Sequence, residues 1–232
     1  MQLFYEPDIL TNQGVLSPEE SSHCVKVLRH KAGDTLHILD GKGNLFEALL
    51  QEASHKKCKV KIVSTQNEPQ PSPICHIAVA PTKSNDRTEW FIEKATEIGI
   101  EMITPIFSKN SERKVVKPER LEKVITSAVK QSVSLWRPQL NEAMRFSDFV
   151  QQAFDGDKFI AHCLKEEEQH LQDACTKGKN TLVLIGPEGD FTTEEVELAL
   201  QNGFYPISLG KKRLRTETAA LMACCIVGLK NH

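Results

Sequence analysis

The sequence predicts an α/β protein, with a parallel sheet covered by helices on both faces and a smaller, mainly β domain before it. From residue 74 onward, short apolar runs alternate with amphipathic segments, which is the order typical of a parallel sheet. Before residue 66 the apolar segments are short and are separated by turn residues. The intervening segment 66–73, QNEPQPSP, has no aliphatic residue and is typical of an exposed linker. We therefore expect one domain over residues 1–68 and a second over 74–232.

In the first domain, strands are expected over 3–5, 35–39, 45–50 and 57–63, with a hairpin turn at Asp40–Gly43. Ser17 is the expected N-cap of a helix, where Pro18 takes the first position and Glu20 completes a capping box. The strand 57–63 places three lysines, Lys57, Lys59 and Lys61, on its polar face. Such lysines either protect an edge strand from aggregation or contact RNA, and the sequence leaves both interpretations open.

In the second domain, strands are expected over 74–80, 103–107, 158–162, 181–185 and 205–209. The helix that follows the first of these strands is capped by Asp86 and Glu89 and ends at Gly99. A basic amphipathic helix is predicted from Pro118 to about Ser134. Thr192 and Glu195 are expected to form a capping box at the start of another helix, which ends at Gly203. The last helix, 216–229, is apolar nearly all round, so it is buried on several sides or meets a partner subunit.

The composition is that of an ordinary globular protein. Of 232 residues, 40% are hydrophobic and 26% charged. The longest apolar run, 219–227, is too short to span a bilayer, and no secretory leader is visible, so we expect a soluble cytoplasmic protein and no membrane partner. The seven cysteines form no CxxC pair, which indicates a reducing compartment and no metal site.

The charge of the chain is unevenly distributed. The net charge is −2, yet residues 109–137 hold eight basic and three acidic side chains, a local excess of +5. This excess favours a polyanionic partner, although a solvated basic face gives the same pattern.

Two glycine-rich turns follow late strands of the second domain. One is Gly186–Gly189, and the other is Gly210, which leads into the last helix. Ligands of open parallel sheets bind beyond the carboxyl ends of the strands, but both turns could equally be ordinary strand-to-helix connections. The sequence contains no P-loop, no dinucleotide-binding glycine fingerprint and no GxSxG motif. A nucleoside-like ligand would therefore have to be held by backbone loops.

Three blocks carry a family resemblance: Ile185-Gly186-Pro187-Glu188-Gly189, then Ile207-Ser208-Leu209-Gly210, then Leu214-Arg215-Thr216-Glu217-Thr218-Ala219-Ala220. Further blocks lie upstream in Lys94–Ile100, Pro105, Ala128–Ser132, His23, Val27–Arg29, Gly33-Asp34 and Asp40-Gly41. On these blocks the sequence resembles the ribosomal RNA small subunit methyltransferase E family, of the SPOUT class of S-adenosylmethionine-dependent methyltransferases. It departs from the family pattern at Asp190, Ser127 and Ser134, and in lacking an arginine in the first strand.

The resemblance implies a PUA-like, RNA-binding β-barrel followed by a SPOUT domain with a C-terminal trefoil knot that binds S-adenosylmethionine. It implies a homodimer with the last helix near the interface. The implied reaction is methylation of N3 of one uridine in 16S ribosomal RNA. The substrate would be either the free RNA or the assembled small subunit. Two alternatives stay open: a non-catalytic RNA-binding or ribosome-assembly protein, and a SPOUT methyltransferase acting at another RNA position.

The resemblance also implies site residues. The cofactor contacts would be Leu184, Ile185, Gly186, Pro187, Glu188, Gly189, Ser208, Leu209, Gly210, Leu214, Arg215, Thr216, Thr218 and Ala219. Arg215 would stabilise the developing uracil anion, and either Glu217 or Glu188 would accept its proton. Glu217 could instead be a carboxylate that interacts with the helix dipole. RNA backbone contacts would be Arg29, Lys109, Arg113, Lys114, Lys117 and Arg137.

Overall fold

The computed structural model describes residues 2–163 and 168–231, and these form two compact units. The first unit comprises residues 1–70 together with 126–137, and the second comprises 71–125 together with 138–232. The sequence pattern gives no indication that residues 126–137 group with the N-terminal unit.

The first unit is built on a four-stranded sheet in the order β1-β2-β3-β4. Its elements are β1 Leu3–Tyr5, α1 Pro18–Ser22, a π-helical turn His23–Val27, β2 Thr35–Leu39, β3 Asn44–Glu52 and β4 Lys59–Asn67. The first pair of strands is parallel and the other two pairs are antiparallel. Apolar side chains from alternate strand positions, among them Phe4, Ile38 and Phe46, form its core. The strand predicted over 57–63 begins at Lys59 instead and continues to Asn67, into the predicted linker.

The N-cap of α1 is confirmed, but the predicted capping box is wrong. Ser17 Oγ accepts a hydrogen bond from the Glu20 N–H. The reciprocal bond is absent because the Ser17 N–H donates to Glu6 Oε2 at 2.7 Å. Glu20 Oε1 accepts from Lys130 Nζ at 2.7 Å and from the Tyr5 N–H instead. Glu20 thus holds the end of a later helix within the same unit.

The Asp40–Gly43 turn joins β2 to β3 as predicted, and it also forms hydrogen bonds with the 126–137 segment. The Gly43 N–H donates to the Leu135 carbonyl, and the Arg137 N–H donates to the Gly41 carbonyl. Both glycines have positive φ. A Cβ at Gly43 would lie 2.7 Å from the Trp136 ring, so only glycine fits there.

The second unit contains a seven-stranded sheet in the order β11-β9-β10-β5-β6-β7, with β8 also paired to β6. Every pairing in it is parallel. Its strands are β5 Cys75–Val79, β6 Met102–Phe107, β7 Gln139–Leu140, β8 Met144–Arg145, β9 Asp157–Ala161, β10 Thr181–Ile185 and β11 Tyr205–Ile207. Its helices are α2 Asn85–Ile98, α3 Pro118–Ser132, α4 Phe146–Phe149, α5 Leu171–Ala174, α6 Thr193–Gln201 and α7 Thr216–Asn231. Residues 126–132 of α3 belong to the first unit.

Helices cover both faces of this sheet, as predicted. Leu182 and Leu184 of β10 pack into one core cluster with residues of α4 and α6. The alternate positions of the sheet face α7, where the buried side chain of Cys75 lies near that of Cys224. The capping box of α6 and the left-handed Gly99 at the end of α2 are confirmed. The strand predicted over 205–209 ends at Ile207, and β7, β8, α4 and α5 were not predicted.

Candidate active site at the carboxyl edge of the sheet

Because all strands of the second unit are parallel, their carboxyl ends share one edge of the sheet. At this edge lie residues 80–84 after β5, 108–117 after β6 and 186–192 after β10. Strand β5 lies between β6 and β10, and later strands of the chain are added to the sheet on both sides of it. Ligands of open α/β sheets bind at such a point.

The start of α7 is joined directly to the loop after β10 at this edge. Thr216 is buried at the start of α7, and its Oγ1 donates to the Gly186 carbonyl at 3.0 Å. Gly186 is itself buried, and a Cβ there would meet the Phe191 ring at 3.2 Å. The first residue of α7 therefore lies against the loop after β10, which we call the 186–190 loop.

The 186–190 loop is held mainly by its neighbours. Within it, the Asp190 N–H donates to the Pro187 carbonyl at 2.9 Å. Glu188 Oε1 accepts from the Lys83 N–H at 3.0 Å, which ties the loop to residues 80–84. Asn110 Nδ2 donates to the carbonyls of Gly189 and Asp190, at 3.1 and 3.0 Å.

Asp190 occupies the position where the family commonly has a second glycine, and its backbone is left-handed, with φ of 62°. Asp is among the few residues that adopt this conformation at modest cost. Its side chain compensates further, because Oδ1 accepts from the Phe191 N–H and Oδ2 from the Cys163 N–H, both at 2.8 Å. Asp190 in place of glycine is therefore compatible with the left-handed backbone of the loop.

Leu184 and Ile185 offer only main-chain groups to a ligand. Both side chains are buried in the strand, and the Ile185 carbonyl already accepts from the Ala80 N–H. Ser208 exchanges hydrogen bonds with Gly210, whose N–H donates to Ser208 Oγ at 3.0 Å. Gly210 has φ of 123° and open space where a Cβ would stand.

The first turn of α7 places two charged candidates differently. Arg215 is exposed, and its side chain makes no hydrogen bond or ion pair with any other residue among those described. Glu217 is buried, with Oε1 3.7 Å from Arg87 Nε on α2. Its Oε2 is buried and has no hydrogen-bond partner among the described residues. Of the remaining predicted contacts, Leu214 and Ala219 are half-buried and Thr218 is exposed.

The predicted RNA contacts of the second unit lie in the segment after β6. Lys109, Lys114 and Lys117 are exposed. Arg113 is half-buried, and its Nε and Nη2 donate to the carbonyls of Thr82 and Lys83, at 3.2 and 2.7 Å. Part of its guanidinium is therefore already hydrogen-bonded to the loop after β5.

In the first unit, Arg29 is exposed and has a left-handed backbone, with φ of 60°. Arg137 is half-buried with its guanidinium 5.9 Å from the Tyr5 ring centroid, and burial lowers its pKa.

Sequence reasoning missed Asn110 and Arg87. Both touch predicted site residues across long sequence separations, and neither belongs to a motif.

The described residues contain no group of three metal-ligating side chains, and none of their helices is both long and apolar enough to cross a membrane.

Comparison with known proteins defines the class of the chain. Residues 68–228 match the RNA methyltransferase domain family, and residues 16–63 match the RNA methyltransferase PUA domain. The protein is thus an RNA methyltransferase with an N-terminal PUA domain. A Synechocystis protein named ribosomal RNA small subunit methyltransferase E is 31% identical over 90% of this chain and 70% of its own length. The chain belongs to that family.

Solved structures agree with this assignment. A Porphyromonas gingivalis protein described as a probable rRNA-methyltransferase superposes with a TM-score of 0.90 at 39% identity, covering 97% of this chain and 95% of its own. A Legionella pneumophila methyltransferase, determined with bound S-adenosylmethionine, superposes with a TM-score of 0.88 at 29% identity, covering 100% of this chain and 98% of its own.

Proposed function

We propose that this protein transfers a methyl group from S-adenosylmethionine to N3 of one uridine in 16S ribosomal RNA. The family membership and the cofactor bound to the Legionella relative support the class of reaction. The observation that carries the site is the Thr216–Gly186 hydrogen bond, which holds the start of α7 against the 186–190 loop. A ribosomal RNA substrate places the reaction in the cytoplasm, in keeping with seven free cysteines.

The residues at this edge fit such a cofactor. Gly186 is buried, yet its N–H makes no hydrogen bond with any described residue, and unpaired buried N–H groups are rare without a ligand. The N–H groups of Glu188 and Gly189 are likewise unpaired within the part of the chain described. These groups, with the main chain of Ser208–Gly210 and Leu214–Ala219, would hold the cofactor, whose sulfonium supplies an electrophilic methyl group when bound.

The chemistry at uridine N3 requires that the ring nitrogen lose its proton. The charge that develops on the uracil oxygens needs a cation, and Arg215 is free to supply it. The proton would pass to Glu217 or to Glu188. Glu217 is buried and paired with Arg87, whereas Glu188 already accepts one backbone hydrogen bond.

RNA contact would come from basic side chains of both units. Lys109, Lys114 and Lys117, with the remaining face of Arg113, would contact phosphates in the second unit. Arg29 and Arg137 would do so in the first unit. The target uridine must be unpaired or flipped out of its helix to enter the site.

The proposal includes a homodimer and the trefoil knot that the family resemblance implies. Support for the dimer comes from α7, which has an apolar stripe made of the exposed Met222 and Leu229 and the half-buried Cys225 and Ile226. Support for the knot comes from Thr216, the first residue of α7, which bonds the 186–190 loop.

Calorimetric titration of the full chain with S-adenosylmethionine tests this proposal. Wild type should bind one cofactor per chain. Gly189→Arg should abolish binding, because an added Cβ already lies 3.1 Å from Asn110 and a longer side chain would occupy the space beside the 186–190 loop. Gly178→Arg is the control for an added arginine, since the space around Gly178 is open and it lies outside the proposed site. Its left-handed backbone, with φ of 82°, strains this variant, so thermal unfolding must show that it is folded. Binding by Gly189→Arg as tight as by wild type would refute the site.

A further inference from the structure

Three loops at the carboxyl edge are connected by a closed circuit of hydrogen bonds, which we call the loop circuit. Asn110 links the loop after β6 to the 186–190 loop. Glu188 links the 186–190 loop to the loop after β5 through the Lys83 N–H. Arg113 completes the circuit by linking the loop after β6 to the carbonyls of Thr82 and Lys83.

Two of the three loops are braced internally. In the loop after β5, Thr82 Oγ1 hydrogen-bonds the Thr88 hydroxyl at 2.8 Å, and the Thr82 N–H donates to the same hydroxyl. In the loop after β6, the Ser108 N–H and hydroxyl bond Ser111 Oγ at 3.0 and 3.1 Å, and the Ser111 N–H donates back to the Ser108 carbonyl. These bonds hold both turns without a contribution from the 186–190 loop.

The 186–190 loop has one internal backbone hydrogen bond, from the Asp190 N–H to the Pro187 carbonyl. Its position depends on bonds from outside, and Asn110 supplies two of them to adjacent peptide carbonyls. With the Gly189 and Asp190 carbonyls turned toward Asn110, the orientation of the neighbouring peptides is fixed as well. The unpaired N–H groups of Gly186, Glu188 and Gly189 belong to this same short loop.

We propose that Asn110 is a positioning residue that pre-organises the 186–190 loop for the cofactor, acting through the loop circuit. This inference rests on the proposed function, because it names a determinant of cofactor affinity at that site. A loop that is ordered in advance loses less conformational entropy on binding, so the loop circuit should lower the Kd for the cofactor. Arg113 and Glu188 share this positioning role, in addition to any contact with RNA or substrate.

Asn110→Ala removes two hydrogen bonds, so the Kd for S-adenosylmethionine should rise about tenfold. With saturating cofactor, kcat should change less than about threefold. Asn110→Asp keeps the shape but has no donor, and it should weaken binding at least as much. Asn110→Gln keeps the amide donor and should recover part of the affinity. Asn202→Ala is the matched control, because it removes an amide-to-carbonyl bond at the end of α6 and should leave Kd unchanged.

A double-mutant cycle tests the circuit itself. The combined loss in Asn110→Ala/Arg113→Ala should be smaller than the product of the single losses, because either single change already opens the circuit. Thermal unfolding without ligand confirms that each variant is folded. If wild type binds the cofactor and Asn110→Ala and Asn110→Asp bind it equally well, the inference is wrong while the proposed function stands. If wild type fails to bind S-adenosylmethionine, the proposed function fails, and the inference with it.

Discussion

The hydroxyl of Thr216 and the carbonyl of Gly186 are thirty residues apart in the chain and 3.0 Å apart in the structure. This buried bond joins the first residue of α7 to the 186–190 loop. It brings together two segments that lie in separate blocks of the sequence.

Thr216→Val should weaken cofactor binding and destabilise the fold. Valine keeps the shape of threonine but leaves the buried Gly186 carbonyl unpaired, at a cost of about 1–3 kcal/mol. Chemical denaturation and calorimetry would measure both effects, and Thr216→Ser, which keeps the hydroxyl, is the control. Unchanged stability and unchanged Kd in the valine variant would show that the bond does not connect the loops.

Arg215→Ala should leave the Kd for S-adenosylmethionine within about twofold and lower kcat at least a hundredfold, the loss typical when one oxyanion-stabilising donor is removed. Single-turnover methyl transfer to small-subunit RNA measures the rate. Lys211→Ala removes another exposed cation of the same segment and should have a smaller effect. Wild-type turnover in Arg215→Ala would exclude Arg215 from the chemistry.

The exposed apolar stripe on α7 predicts a dimer in solution. Met222 and Leu229 lie seven residues apart, on one face of the helix, and are 41% and 80% exposed. Light scattering should give a mass twice that of the chain, and Met222→Lys/Leu229→Lys should shift it to the monomer. Leu10→Lys, at an exposed leucine of the first unit, should remain dimeric. A monomeric wild type would contradict this prediction.

Glu101 predicts a pH dependence of stability. Burial raises the pKa of Glu101 from 4.5 to about 7, although its carboxylate accepts a 2.6 Å hydrogen bond from the Cys75 N–H. Because the folded state holds this proton more tightly than the unfolded state, the contribution of Glu101 is fully present below about pH 4.5. It is lost as pH rises through about 7.

Glu101→Gln stays neutral and still accepts from Cys75. Relative to wild type, it should gain about 1–2 kcal/mol between pH 5 and pH 8, measured by urea unfolding. A constant difference between the two proteins over this range would show that Glu101 titrates normally.

Val133 predicts a stabilising substitution. It follows α3 with φ of 59°, and the Ser134 N–H donates to the Val129 carbonyl, which is the Schellman pattern that usually has glycine at this position. A β-branched residue is strained there, so Val133→Gly should stabilise the protein by about 0.5–1 kcal/mol. Val115→Gly, at an exposed valine without positive φ, should give no gain. Equal changes in stability for Val133→Gly and Val115→Gly would show that the backbone of Val133 is not strained.

The larger elements of the fold could be predicted because their signals are local. Apolar runs mark β5 and β10, and Thr192 with Glu195 marks the start of α6. Strands β7 and β8 and helices α4 and α5 have only two to four residues each, too few to show a period. Glu20 was assigned to the wrong partner because its actual partner, Lys130, lies 110 residues away.

The site could be predicted in part for the same reason. Its glycine-containing segments are contiguous in sequence, so the family resemblance identifies them. Asn110 reaches Gly189 across 79 residues, and only the folded sheet brings the two together. The left-handed backbone of Asp190 is likewise invisible in sequence, where the residue only departs from a pattern.

Mass spectrometry of nucleosides from 16S ribosomal RNA tests the central claim most directly. RNA from cells that lack this protein should be missing 3-methyluridine at one position. The wild-type chain should restore that methyl group, and Gly189→Arg should not. If the missing methyl group lies on another base atom or another RNA, or if the deletion removes no methyl group at all, the account of uridine N3 methylation is contradicted.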